Sequence, residues 1–390
     1  MKRLNILLII LFTLIGIYFV IFIYLLRSEV QNIDILGYVV SKMQICNQSD
    51  TYRQCYRDLA KSLLVKYKLE LPEILNELEK GVIETESLKL LNCHEIAHYL
   101  GEEAYKLNNN VQNLFNQCSQ ICLSGCFHGV VGEHLKQKKI FIEDDSAVER
   151  EIKMLCGKEE DYDSSMKYQI CFHGIGHGLM YLTENDLPRA LRLCESLSTK
   201  KEIVNCQNGV FMENSNSNPE HPSKYLKEGD TVYPCDTLDK KYHDSCYLYQ
   251  SYRLIQIGKS WKKIFQLCYT FPKDHWDQCF RALGGSQLTI TSDVEVMKAN
   301  CSRIENPYYR SICISGAAEI VTHRFTAFNG DFSKTIKFCS IVDAESKEYC
   351  YTTIGQEVKK WTKDKNERVS VCSKIPEEEY RDVCIAATQK

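Results

Sequence analysis

The sequence predicts an all-α protein, a solenoid of stacked disulfide-bridged helical hairpins that follows one N-terminal transmembrane helix. Three observations lead to this prediction. The chain has 390 residues and 20 cysteines, many of which recur as a spaced pair. Helix-like sequence flanks these pairs, and alternating β patterns are scarce. An apolar run without any charge covers residues 5–26.

The apolar run is long enough to cross a bilayer, which takes about 20 residues. It follows Lys2 and Arg3 and has no small-residue cleavage site after it, so we expect an uncleaved signal-anchor over residues 1–28. The basic residues favour a cytoplasmic N-terminus, with the rest of the chain in the periplasm or at the cell surface. The membrane is thus an expected partner. The net charge of −3 gives no reason to expect nucleic acid as a partner.

A cysteine pair recurs six times in the C-terminal half, at intervals of 33–41 residues. Each copy has an apolar residue three positions after the first cysteine and a polar turn before the second. We expect each copy to be two short helices with a disulfide across the turn, and neighbouring copies to stack because none can bury its apolar face alone. The six pairs are Cys194–Cys206, Cys235–Cys246, Cys268–Cys279, Cys301–Cys313, Cys339–Cys350 and Cys372–Cys384.

The N-terminal cysteines extend the same scheme. Cys156–Cys171 fits it with a longer turn, and Cys46–Cys55 fits as a short first copy. Four cysteines remain, for which we favour two pairs although the sequence leaves the pairing open. These pairs are Cys118–Cys126 and Cys93–Cys122. So many disulfides indicate an oxidising compartment.

The repeat length and the cysteine placement resemble tetratricopeptide-like helical-hairpin solenoids that carry a disulfide in each repeat. The resemblance covers about residues 150–390 and concerns architecture, because the tetratricopeptide consensus residues are missing. We divide the exported part into N-terminal helical repeats with a histidine-rich site, 29–185, and C-terminal cysteine-paired repeats, 186–390.

Histidines recur at one register of three neighbouring units. Two of these units carry a pair spaced four apart, which lies on one face of a helix. Later units hold other residues at this position, so the scaffold itself does not need a histidine there. Neutral imidazole is a common metal ligand, and we predict that these side chains converge on a transition metal. The five candidate ligands are His94, His98, His128, His173 and His177.

Three glycines, Gly174, Gly176 and Gly178, alternate through the last histidine segment. Each costs about 1 kcal/mol in a helix interior relative to alanine. We expect them to permit a close backbone approach, either between helices or around a ligand.

The segment His94-Glu95-Ile96-Ala97-His98 resembles the HExxH motif of zincin metallopeptidases. That resemblance implies two zinc-binding histidines and Glu95 as the catalytic residue that activates the zinc-bound water. The third histidine of the longer metzincin pattern is replaced by Ala104, and Glu133 or Glu213 would have to take its place. The sister segments lack the glutamate, and no convincing sheet accompanies the helix.

These observations predict a membrane-anchored extracytoplasmic protein with a multi-histidine metal site, with Glu133 as a further candidate ligand. Such a site suits a metal-dependent hydrolase or oxidoreductase. Zinc, copper and iron are the favoured ions, since the cysteines are committed to disulfides. The alternative from another class is a non-enzymatic binding or scaffold protein with structural histidines. In that case, a peptide or protein partner would bind the concave face of the solenoid.

Overall fold

The computed structural model describes residues 34–389, apart from 50, 84–89, 119–121, 123–124, 139–142, 163, 216–222, 292 and 327–331. All regular elements in these residues are helical, which confirms the predicted all-α class. The expected anchor over residues 1–28 lies outside the described part. None of the described helices combines the length and the apolar character that crossing a membrane requires.

Nineteen α-helices are described, and most are short. In chain order they are α1 (Ile35–Cys46), α2 (Tyr52–Lys61), α3 (Leu71–Ile83), α4 (Leu90–Leu107), α5 (Val111–Gln117), α6 (Gly125–Gln137), α7 (Asp145–Leu155), α8 (Ser165–Leu182), α9 (Leu187–Glu195), α10 (Lys200–Ser215), α11 (His243–Ile257), α12 (Trp261–Leu267), α13 (Trp276–Ser286), α14 (Val294–Cys301), α15 (Pro307–Thr326), α16 (Ser333–Ile341), α17 (Ala344–Trp361), α18 (Lys365–Cys372) and α19 (Glu378–Ala387).

Several helices begin at a side chain that caps their free backbone amides. The Ser164 side chain accepts a hydrogen bond from the backbone of Lys167 and starts α8. Asp186 caps α9 in the same way, and a proline follows in the first turn. Such caps each contribute about 1 kcal/mol, and proline is well suited to the first helical turn. Polar residues between the repeats therefore fix where these two helices begin.

The ten expected disulfides are all present, including the pairing that the sequence left open. Cys118–Cys126 is an ordinary hairpin bridge, because it joins the end of α5 to the start of α6. Cys93–Cys122 is different. It links α4 to the turn of the following hairpin, 29 residues away. One covalent bond thus ties two consecutive units together at the level of the histidines.

The second helix of each hairpin packs on the second helix of the next, and this row carries the core. The row runs α2, α4, α6, α8, α10, α11, α13, α15, α17 and α19. Its apolar side chains form one continuous cluster from Ile35 to Cys384. The row also curves, because α8 contacts α17. At this point Lys363 Nζ donates a hydrogen bond to the Tyr162 carbonyl, 201 residues earlier, at 2.8 Å.

The glycines of α8 face neighbouring helices on both sides. A Cβ at Gly176 would lie well under 3.0 Å from the Cys206 carbonyl oxygen in α10. Cβ atoms at Gly174 and Gly178 would press on Phe127 and Val131 of α6. Close helix packing therefore accounts for these glycines, and α8 is held tightly between α6 and α10.

Replacing Gly176 with alanine should lower the midpoint of thermal unfolding. The added methyl group meets a backbone carbonyl that cannot rotate away, and overpacking of this kind costs about 1–3 kcal/mol. Gly132→Ala is the matched control. Its Cβ would find Tyr181 Cδ1 4.0 Å away as its nearest neighbour. That substitution should leave the midpoint unchanged or raise it, because alanine is about 1 kcal/mol better than glycine in a helix. Equal shifts for both variants would contradict this packing.

Candidate metal centre

The structure brings the five sequence-predicted histidines into one cluster on three helices. Helix α4 contributes His94 and His98, α6 contributes His128, and α8 contributes His173 and His177. Ring centroids are 5.1 Å apart for His94–His128, 3.8 Å for His128–His177 and 4.8 Å for His173–His177. The cluster is thus continuous, with His128 at its centre.

Glycine contacts position the helices that carry the histidine pairs. On α6, Cβ atoms at Gly125 and Gly129 would collide with the carbonyl oxygens of His94 and His98. On α10, a Cβ at Gly209 would collide with the carbonyl of His173. The backbones of α4 and α8 are therefore in direct contact with their neighbours at the histidine turns.

Glu213 of α10 completes a three-donor group with two of the histidines. Its Oε2 lies 2.8 Å from His177 Nδ1 and 3.8 Å from His128 Nδ1. Within the described residues, donor atoms of His128, His177 and Glu213 all lie within 4.8 Å of one another. A tetrahedral zinc with bonds of about 2.0–2.2 Å holds its donors about 3.3 Å apart. The His128 and His177 ring centroids lie 3.8 Å apart at 32°, so these two side chains would have to spread apart for the group to close on an ion.

His173 holds the opposite edge of the His177 ring. The two Nε2 atoms are 3.0 Å apart, so one of them donates a hydrogen bond to the other. His177 therefore has Glu213 at Nδ1 and His173 at Nε2. Groups that orient a ligating imidazole in this way usually accompany a metal site.

His128 is 4% exposed, and its Nε2 is buried without a hydrogen-bond partner. His134, on the same helix, shows how both nitrogens of a buried histidine are ordinarily hydrogen-bonded. His134 is also buried, but its Nδ1 pairs with the Tyr105 hydroxyl at 2.8 Å and its Nε2 with the Glu151 carboxylate at 2.6 Å. Burying a polar atom without a partner costs on the order of 1–3 kcal/mol. Packing therefore does not explain why Nε2 of His128 is buried without a hydrogen-bond partner.

The electrostatics of the cluster favour neutral imidazoles. Burial lowers the pKa of His128, His173 and His177 well below the usual value, and the neighbouring histidines lower it further. Burial also raises the pKa of the Glu213 carboxyl, although His94 and His98 oppose that shift. A cation among these groups would stabilise both the imidazole lone pairs and the carboxylate.

In both histidines of α4, Nδ1 lies close to an oxygen atom. His94 Nδ1 donates to the Cys122 carbonyl at 3.0 Å. Cys122 has a φ of 56°, a left-handed conformation that is rare outside glycine and often marks functional sites. His98 Nδ1 lies 3.3 Å from Glu102 Oε1.

Arg57 of α2 supports the Glu102 carboxylate from the preceding unit. Its Nε donates to Glu102 Oε2 at 3.1 Å. Burial alone would raise the pKa of Glu102, but His98 and Arg57 outweigh it and hold the pKa at about 2. Glu102 therefore stays charged and can orient His98. Sequence reasoning missed both residues, although the i,i+4 spacing of His98 and Glu102 was a usable signal.

One edge of the cluster reaches solvent. The Glu213 side chain is 26% exposed to solvent, and the His98 side chain is 17% exposed. Beside them stands Tyr181, which is 61% exposed, with its ring centroid 5.9 Å from that of His98. A small molecule or ion therefore has access to the donor groups from this side.

Two predicted acidic residues lie elsewhere. Glu133 accepts a hydrogen bond from Gln137 and pairs with Lys136 at 3.7 Å, so its carboxylate is engaged away from the cluster. Glu95 affects the pKa of the phenols of Tyr56 and Tyr99. Burial raises the pKa of both phenols, and the Glu95 carboxylate raises it further. The structure therefore supplies Glu213, rather than Glu133, as the carboxylate of the cluster.

No protein-family model matches the chain, and no curated protein is significantly similar to it in sequence. The function must therefore be argued from the cluster itself.

Removing the Cys93–Cys122 bridge should weaken zinc binding at the cluster. The bridge fixes the turn whose carbonyl holds His94, and the His94 ring packs against the ring of the candidate ligand His128, with centroids 5.1 Å apart. Loss of such outer partners of a ligand costs about 10–100-fold in metal affinity. We would titrate Zn²⁺ into the Cys93→Ala, Cys122→Ala double variant. Its control is Cys339→Ala, Cys350→Ala, which removes a hairpin bridge between α16 and α17. Both variants lose a disulfide, but only the first should lose affinity. Equal affinities in the two variants would refute the orienting role of the turn.

Proposed function

We propose that this chain is a membrane-anchored extracytoplasmic protein that binds a transition metal through His128, His177 and Glu213. The observation that carries the proposal is the convergence of these three donor groups, whose ligand atoms all lie within 4.8 Å of one another. They come from three helices, and a packed core does not require such convergence. In the proposed complex, His177 would bind the ion through Nδ1 and carry its ring proton on Nε2, which would donate a hydrogen bond to Nε2 of His173.

Zinc is the ion we favour. The donors are imidazole and carboxylate, and thiolates are excluded because every cysteine is in a disulfide. Two histidines and one glutamate with an open position form a donor set typical of hydrolytic zinc sites. There the ion supplies Lewis acidity and lowers the pKa of a bound water. Copper and iron remain alternatives, and they would suit an oxidoreductase.

A zincin-type peptidase is a weaker hypothesis for the same residues. In that reaction the glutamate of HExxH must reach the water on the zinc. The Glu95 carboxylate is instead turned towards Tyr56 and Tyr99 of the first units. We therefore assign no catalytic role to Glu95 in the proposed site.

The rival function is a tetratricopeptide-like scaffold. The contact between α8 and α17 supports it, because it indicates a curved row, and curved helical solenoids commonly bind a peptide or protein partner on their concave face. The two functions do not exclude each other, since the metal donors lie on helices of the same row. They differ in what they require of Glu213, which a scaffold could lose without any effect on metal content.

Metal content should depend on Glu213 and not on Glu133. We would produce the full chain in an oxidising host, purify it in mild detergent without chelators or a histidine tag, and measure its metals by elemental analysis. Glu213→Gln removes a ligand and should lower zinc affinity at least 10-fold, as expected for loss of a group directly at the metal. Glu133→Gln is the matched control, at the same distance from the second cysteine of its hairpin, and should bind like the wild type. A wild type that neither contains nor takes up zinc, copper or iron would refute the proposal.

A further inference from the structure

A patch of tyrosines and lysines lies on the surface of the first hairpin. Tyr38 and Lys42 are one turn apart on α1, and Lys42 Nζ lies 5.8 Å from the centroid of the Tyr38 ring. A second such pair follows α2, where Lys66 Nζ lies 5.2 Å from the centroid of the Tyr67 ring. The two tyrosine rings meet edge to face, with centroids 5.3 Å apart. The four side chains are therefore continuous, and we call them the first-hairpin patch.

Exposed apolar side chains border the patch. Ile45 is 59% exposed and follows Lys42 by three residues on α1. Val65 is 43% exposed and directly precedes Lys66. Tyrosine is enriched at the level of lipid headgroups, and lysine extends its apolar stem over hydrocarbon while its charge stays in water. The combination of these residue types on one surface is therefore typical of contact with a bilayer.

The two lysines of the patch carry charges that the protein does not neutralise. Both side chains are exposed, and neither ammonium group forms an ion pair with a residue that the structure describes. The acidic residue Asp34 lies one turn before Tyr38, but its Oδ1 accepts a hydrogen bond from the Gly37 amide at 2.9 Å and caps α1. Residues 34–68 hold six basic and three acidic residues, whereas the whole chain has a net charge of −3. The patch therefore complements the negative charge of lipid phosphates.

The chain itself keeps the patch close to the proposed membrane anchor. The apolar run ends at Leu26, and the described residues begin at Asp34. An extended chain advances at most about 3.6 Å per residue, so α1 begins no farther than about 30 Å from the end of the run. A short tether gives the bilayer a high effective concentration at the patch. Even a weak contact is then sufficient to hold the first hairpin on the membrane.

We propose that the first-hairpin patch lies on the bilayer surface, with Lys42 and Lys66 at lipid phosphates and with Ile45 and Val65 at the edge of the hydrocarbon. This inference rests on the proposed function, because the membrane anchor supplies the tether. The bilayer is then a partner at two points, the anchor and the patch. Two points of attachment fix the orientation of the exported helices, which one tether cannot do.

The contact also sets the position of the candidate metal centre relative to the membrane. Helix α2 of the first hairpin packs directly on α4, which carries His94 and His98. Arg57 of α2 reaches Glu102, the residue that pairs with His98. Packed helices have axes about 8–10 Å apart. The first hairpin therefore separates the donor groups from the bilayer by only a few helix diameters, and it holds them at a fixed distance from the lipid.

The test is the quenching of tryptophan fluorescence by brominated lipid, in the full chain reconstituted into vesicles of phosphatidylcholine and phosphatidylglycerol. Ile45→Trp places a reporter beside the patch. Met154→Trp is the matched control, because Met154 is 67% exposed and also lies near the end of the first helix of a hairpin. The signal of the three native tryptophans is subtracted with the wild type. Bromine near the top of the acyl chains should quench the added fluorescence of Ile45→Trp and leave that of Met154→Trp unchanged.

Reversal of charge tests the role of the two lysines. Lys42→Glu with Lys66→Glu, made in the Ile45→Trp protein, should abolish the quenching. Lys262→Glu with Lys263→Glu changes the net charge by the same amount on α12, and should leave the quenching as it was. The quenching should also weaken in vesicles of phosphatidylcholine alone and in high salt, which screens exposed charges.

Flotation of the vesicles separates this inference from the proposed anchor. A chain that does not float with the vesicles overturns both. A chain that floats, but in which Ile45→Trp is quenched no more than Met154→Trp, overturns the contact of the patch and leaves the anchor intact. Quenching that persists after both lysines are reversed also overturns the proposed contact. Circular dichroism checks the folding of each variant, and Val65→Trp replaces Ile45→Trp if that variant misfolds.

Discussion

Helix backbones approach each other in this protein where glycine removes the side chain between them, and the histidine cluster depends on that approach. Gly176 and Gly209 join α8 to α10, and Gly125 and Gly129 join α4 to α6. Because the contacts fall at the histidine turns, they set the distance between neighbouring imidazoles. Disulfides then hold each hairpin in register, and the extra bridge from Cys93 to Cys122 joins two units at the same level.

The same close packing creates an electrostatic problem at the centre of the cluster. Three histidines are dehydrated and held neutral, while Glu213 is a carboxyl group whose ionised form is penalised by burial. Without a ligand, apolar residues at these positions would stabilise the packed helices more, since buried polar groups contribute little to stability unless they are hydrogen-bonded. The proposed cation would resolve the problem, because it would supply the positive charge that neutral imidazoles lack. The fold and the proposed chemistry therefore have one explanation.

Much of the fold could be predicted from the sequence, because cysteine spacing and helical periodicity are local signals. They predicted the ten disulfides, and the register of the repeats predicted that the five histidines would meet. The carboxylates were harder to predict. Glu133 and Glu213 occupy the same position in their hairpins, seven residues after the second cysteine. Only the neighbours distinguish them, because Lys136 engages Glu133 whereas His177 faces Glu213. Arg57 was missed for the same reason, since it reaches Glu102 from another helix, whereas Glu102 pairs with His98 within α4, where the i,i+4 spacing was a usable signal.

The most direct measurement of the central claim is anomalous diffraction from crystals of the full chain grown with zinc, with data collected on both sides of the zinc absorption edge. If zinc binds at the proposed site, an edge-specific peak should lie between His128 Nδ1, His177 Nδ1 and Glu213 Oε2, at bonding distance from all three atoms. A well-ordered cluster without such a peak, in which water or hydrogen bonds between the side chains satisfy the same nitrogens, would contradict it.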